Sequence, residues 1–92
     1  MKQIDLYQLP LDPDEGVWHE FQLRGPIVMM GTQTSSYMNF WAEEDSALPP
    51  ETVQLRVVRS GVDIPSDATV EASCWDPWGG TTMLHLIRAA AE

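Results

Sequence analysis

Three side chains in this chain carry the soft donor atoms that could hold a transition metal or move protons: His19, Cys74 and His85. Zinc sites usually bring two ligands within a few residues of each other, and these three lie far apart. His19 and His85 could still meet if both faced inward on neighbouring strands. The plainer expectation is that each is a partly buried histidine hydrogen-bonded to backbone. Asp12-Pro13-Asp14-Glu15-Gly16 spaces two carboxylates ahead of a glycine, as a calcium loop does. It lacks the third acidic position, the distal glutamate and the flanking helices, so it reads as a turn. There is no Gly-x-Ser-x-Gly elbow, and Cys74 has no activating neighbour in sequence. Gly79-Gly80 leads into threonines without the lysine of a phosphate loop. The chain is therefore read as non-enzymatic, with no catalytic residue, cofactor or metal.

Aromatic and acidic side chains carry more information. Cys74-Trp75-Asp76-Pro77-Trp78-Gly79-Gly80-Thr81-Thr82 places two of the four tryptophans at what reads as a hairpin tip. Rings that large either fold back on the core or form a surface for contact. Trp18, Trp41, Tyr37 and Tyr7 complete an aromatic set, several of whose members fall on strand faces opposite the expected core. The expected contact surface combines Trp75, Asp76 and Trp78, joined by the acids Glu43, Glu44 and Asp45. Tryptophan and tyrosine dominate binding hot spots.

The elements that must position these groups are short strands. Turn formers divide the chain at regular intervals, and the pieces between them alternate or are β-branched and aromatic. The pieces are Lys2 to Leu9, Val17 to Arg24, Ile27 to Met30, Tyr37 to Ala42, Thr52 to Arg59, Ala68 to Trp75 and Thr82 to Arg88. In the second, Val17, His19, Phe21 and Leu23 share a face, the cleanest period-two pattern in the chain. Ile27-Val28-Met29-Met30, apolar throughout, reads as a buried central strand. Met38, Phe40 and Ala42 fall opposite Tyr37, Asn39 and Trp41. Ala68, Val70, Ala72 and Cys74 read as the inward face of the sixth piece, their small size suggesting closely approaching layers. The acidic, proline-rich stretch Glu43 to Glu51 reads as a surface loop. Arg88 to Glu92 could form a frayed helical turn, because alanine favours helix but so short a helix is marginal. Seven strands without a long helix predict an all-β fold, a small antiparallel sandwich or partly open barrel forming one domain over residues 1–92. An exposed strand edge in such a fold can pair with a second copy, so a homo-oligomer is expected.

Composition narrows the function. Of 92 residues, 43% are hydrophobic and 21% charged, the profile of a globular protein. Fourteen Asp and Glu against five Lys and Arg give a formal net charge of −9. Nucleic acid and anionic membrane would repel that surface, whereas a basic partner would be drawn to it. No apolar run reaches the roughly twenty residues of a membrane-spanning helix. The lone cysteine and the absence of a signal-peptide core in Met1-Lys2-Gln3-Ile4-Asp5-Leu6 fit a cytoplasmic setting.

Several motifs carry a family resemblance: an opening strand ending in Pro10, Trp18-His19 at the start of the second strand, Gly25-Pro26 before the third, and Phe40-Trp41-Ala42 in the fourth. Gly61-Val62-Asp63-Ile64-Pro65-Ser66-Asp67-Ala68 in a turn and His85-Leu86 near the end complete them. In their order and spacing the chain resembles a family of short uncharacterised proteins of actinobacteria and their phages. Relatives tend to have a shorter turn where this chain has Asp76-Pro77-Trp78-Gly79-Gly80, and often an aromatic residue in place of Leu84. The resemblance carries no assigned activity; it implies a phage or prophage accessory gene. The expected function is to bind and modulate a host or defence protein with a basic surface. Two alternatives stand beside it. One is an oligomeric sponge that stacks a nucleotide-like immune signal on aromatic rings and holds its phosphate with Arg24, Arg56, Arg59 or Arg88. The other is a small structural or assembly protein.

Overall fold

A computed structural model describes residues 1–10, 17–31, 37–76 and 82–90. Seven strands form, β1 (Lys2–Pro10), β2 (His19–Leu23), β3 (Ile27–Gly31), β4 (Tyr37–Asp45), β5 (Glu51–Arg59), β6 (Thr69–Trp75) and β7 (Met83–Arg88). All pair antiparallel, in a three-stranded sheet of order β1-β4-β3 and a four-stranded sheet of order β2-β5-β7-β6. The sheets face each other as a small sandwich.

The alternation of each strand explains the core. Leu9, Met30, Met38, Phe40 and Ala42 project from the three-stranded sheet onto Leu23, Val53, Leu55, Leu84 and Leu86 of the other. At the centre Tyr7 stacks on Phe40, ring centroids 5.1 Å apart, and Phe21 meets Phe40 edge-on at 5.1 Å. These three rings join β1 and β4 to β2 across the two layers, in the offset and edge-to-face arrangements that aromatic quadrupoles favour.

Two β-bulges set faces that alternation alone misassigns. Ile27 lies opposite Ala42 and Met29 opposite Trp41, so one extra residue sits in β3 between them. The run expected as a buried central strand is instead a sheet edge, with Val28 and Met29 exposed. A second bulge between Val70 and Ala72 keeps Ala72 and Cys74 against the core but leaves Val70 exposed. The outward side of the four-stranded sheet has its own apolar layer: Val58 and Ile87 are buried, and Val62 and Ile64 of the β5–β6 connection line the same cleft. Gly61, at φ 92°, makes the turn into that connection, closed by the Val62 N–H on the Arg59 carbonyl.

The C-terminal helical turn does not form among the described residues. Arg88 is in β7, and the Ala89 N–H continues the pairing to the Gln54 carbonyl. No helix of the described residues is long and apolar enough to cross a membrane.

Candidate functional site

The outward face of the three-stranded sheet follows from its register. Leu6 of β1 and Met29 of β3 flank Trp41 of the central strand in one row across the sheet, and Ile4 lies opposite Glu43 in the next. Ile4, Leu6 and Met29 are 60%, 52% and 54% exposed, and Tyr37 at the start of β4 is exposed as well. A Cβ at Gly31 would meet the half-buried Trp41 ring at 3.8 Å, ordinary van der Waals contact, so the ring lies over Gly31. A sheet face turned to water ordinarily carries polar side chains. Here it carries an apolar row around a tryptophan.

Acids border that row at one end. The segment expected as a loop from Glu43 is strand as far as Asp45, paired with β1 from Ile4 back to Lys2. Its other side is held by Glu43 N–H to the Pro26 carbonyl and Asp45 N–H to the Arg24 carbonyl. Strand alternation places Glu43 and Asp45 on the outward face with Trp41 and Glu44 on the opposite face. Glu43 pairs with the Lys2 ammonium at 2.8 Å, and its hydrogen bond, then its charge, raises the Lys2 pKa. Asp45 accepts the Ala47 N–H at 3.0 Å. Glu44 shares a hydrogen bond with Asp5, which, with the repulsion between the two carboxylates, raises the Glu44 pKa.

Trp75 lies elsewhere. It is 65% exposed at the end of edge strand β6, opposite Met83. Asp76 beside it is buried, and its N–H closes the hairpin onto the Thr82 carbonyl; Trp78 falls outside the described residues. Chain pairing separates Trp75 from the acids. Arg88, opposite Thr69, reaches Glu51, which lies opposite Leu23 and so next to the Arg24 that holds Asp45. Trp75 is six residues beyond Thr69 along β6, up to about 20 Å from Thr69 at ~3.3 Å per residue. The acids expected to join Trp75 instead adjoin Trp41.

The soft donors do not assemble. His19 lies opposite Leu55, a core residue, whereas His85 lies opposite Val58, on the outward side of the same sheet with β5 between them. Among the described residues no group of three His, Cys, Asp or Glu could hold a metal. Burial, with the charge of Asp76, raises the Cys74 thiol pKa, which makes it a poor nucleophile. His85 is bound by side chains rather than backbone: Ser60 Oγ lies 2.9 Å from Nε2 and Ser73 Oγ 2.7 Å from Nδ1. It borders a cleft of about 270 Å³ with Ser60, Arg59 and the aliphatic Val58, Val62 and Ile87.

The arginines are dispersed. Arg56 lies over the Trp18 ring at 4.7 Å, Arg59 borders the His85 cleft, and Arg24 and Arg88 line a second cleft of about 530 Å³ with Pro26, Pro49 and Pro50. Arg88 is paired with Glu51 and with Glu71 at 3.5 Å. Neither cleft is lined by a tryptophan, tyrosine or phenylalanine ring.

The sequence matches, over residues 1–92, the family described as a domain of unknown function, DUF7352. No curated protein and no solved structure matches it.

Proposed function

The chain belongs to the DUF7352 family, and from that premise we propose that it is a non-enzymatic interaction domain which binds and modulates another protein. The observation that carries this reading is the row Leu6–Trp41–Met29 with Ile4 beside it on the outward sheet face, in which Leu6, Met29 and Ile4 are exposed around a half-buried Trp41. Exposed apolar patches of this kind mark contact sites, and a buried tryptophan at the centre of an interface contributes strongly to affinity. The partner chemistry follows from the border: an apolar patch flanked by basic side chains would meet Trp41 at its centre and Glu43 and Asp45 at its rim. The formal charge of −9 would steer such a partner in and repel nucleic acid. With the resemblance to short proteins of actinobacteria and their phages, the setting is the host cytoplasm and the partner a host or defence protein. Trp75, at the far end of β6, is a second contact point rather than part of this surface.

Affinity capture from host lysate tests the reading with matched variants. The parent chain should recover one protein reproducibly, Met29→Asp should lose it, and Trp75→Ala should retain it at reduced yield. Recovery of no protein, or an equal yield with folded Met29→Asp, would count against this face.

A further inference from the structure

The sandwich has four strand edges, and they differ in how well they resist pairing. β2 is five residues long; β3 and β6 each carry a bulge, which twists an edge away from partners. β1 has neither protection. It is nine residues long, pairs with β4 in unbroken register from Lys2 to Pro10, and among the described residues is hydrogen-bonded in its sheet to β4 alone. In an antiparallel ladder alternate residues direct their backbone groups to opposite sides, so about half of this strand presents N–H and C=O groups to the open side.

We infer that β1 pairs antiparallel with β1 of a second copy, making a two-fold dimer with a continuous six-stranded sheet. Two features choose a second copy over a foreign strand. First, in a chain of formal charge −9, β1 contains one lysine and one aspartate, so the copies meet along a stretch that is neutral in sum. Second, the strand is self-complementary. Overlap of all nine residues puts Leu6 on the two-fold axis, Lys2 opposite Pro10 of the partner subunit, and Asp5 opposite Tyr7 of the partner subunit, with no like charges face to face. Centring on Asp5 would oppose two carboxylates, and centring on Ile4 would shorten the overlap. Leu6 also lies opposite Trp41, which lies opposite Met29. The dimer therefore joins two apolar rows end to end through its axis, doubling the exposed face. The pairing rests on β1 and does not require a foreign partner.

Sedimentation and cysteine cross-linking test it. The parent should run at twice the 10.3 kDa of one chain, and the dimer should tighten as salt screens the repulsion between the acidic bodies. Leu6→Lys, which puts two ammonium groups on the axis, should weaken dimerisation by more than about tenfold. In a Cys74→Ser background, Leu6→Cys should form a disulfide under mild oxidation, because directly opposed residues have Cα atoms about 4.5–5.5 Å apart. Ile4→Cys should not. Met29→Asp, which abolishes partner capture in the reading above, should leave the dimer intact, so the two readings fail separately. A monomeric mass at every salt concentration, or cross-linking through Ile4→Cys in preference to Leu6→Cys, would overturn the inference. Should Leu6→Lys not fold, the cysteine pair decides.

Discussion

Gly25 runs against the backbone of Glu43: a Cβ added to it would lie 2.6 Å from the Glu43 carbonyl oxygen and 3.1 Å from the Glu43 Cβ. The neighbouring carbonyls of Arg24 and Pro26 take the N–H groups of Asp45 and Glu43. This clasp, with β1 on the other side, keeps an acidic segment extended when its composition alone would release it. Gly25 has no positive φ, so its requirement is space. Gly25→Ala should therefore cost about 1–3 kcal/mol through overpacking. In hydrogen exchange the lost protection should concentrate at Glu43 and Asp45. An unchanged urea midpoint would show that the backbone yields freely there.

The number of strands and their places along the chain were legible because turn formers punctuate it and the apolar residues alternate between them, whereas their order in the sheets was not. Phe21, Leu23, Met38, Phe40 and Ala42 all face the core, as their spacing indicates. Two kinds of information were not legible. A bulge changes facing without changing composition: four apolar residues from Ile27 to Met30 suit a buried strand as well as an edge whose extra residue turns Val28 and Met29 to water. Val70 is displaced for the same reason. Register was the other gap. That Tyr37 and Trp41 oppose the core could be read from alternation, but not that Leu6 and Met29 flank Trp41, nor that Glu43 extends the same face. Trp75 was legible as a ring at a hairpin end, whereas the burial of Asp76 beside it depends on how that hairpin closes.

Asp5 and Glu44 form a carboxyl pair whose pH dependence runs opposite to that of an ordinary salt-bridged acid. The hydrogen bond and repulsion from Asp5 raise the Glu44 pKa above 4.5, while Arg24 opposes the shift. Between that ordinary value and the raised one, the folded chain holds more of this proton than the unfolded chain does. Stability from this group is therefore greatest at and below pH 4.5 and falls as pH rises through the raised pKa. Glu44→Gln, which keeps a hydrogen-bonding group without the charge, should remove that downward slope and leave the folded chain more stable at neutral pH. Urea midpoints at closely spaced pH values read this directly. A parent and variant with parallel profiles above pH 4.5 would rule out the shared proton.

His85 has a tautomer dictated by its neighbours. A Ser60 hydroxyl directed to the Met83 carbonyl, which can only accept, at 3.3 Å would accept from the ring at 2.9 Å and put the proton on Nε2. Nδ1 is then bare and takes the Ser73 hydroxyl at 2.7 Å. The relay ties the β5–β6 connection through β7 to edge strand β6, and it borders the cleft over Val58 and Ile87. Nitrogen-15 shifts of the neutral imidazole should show a protonated Nε2 and an unprotonated Nδ1. Ser73→Ala should cost about 1 kcal/mol, the net value of one hydrogen bond, while leaving the tautomer unchanged because Ser60 still accepts from Nε2. Ser60→Ala removes the group that selects the tautomer, so the ring should then populate both forms. A protonated Nδ1 in the parent would reverse the direction of the relay and make Ser73 its acceptor.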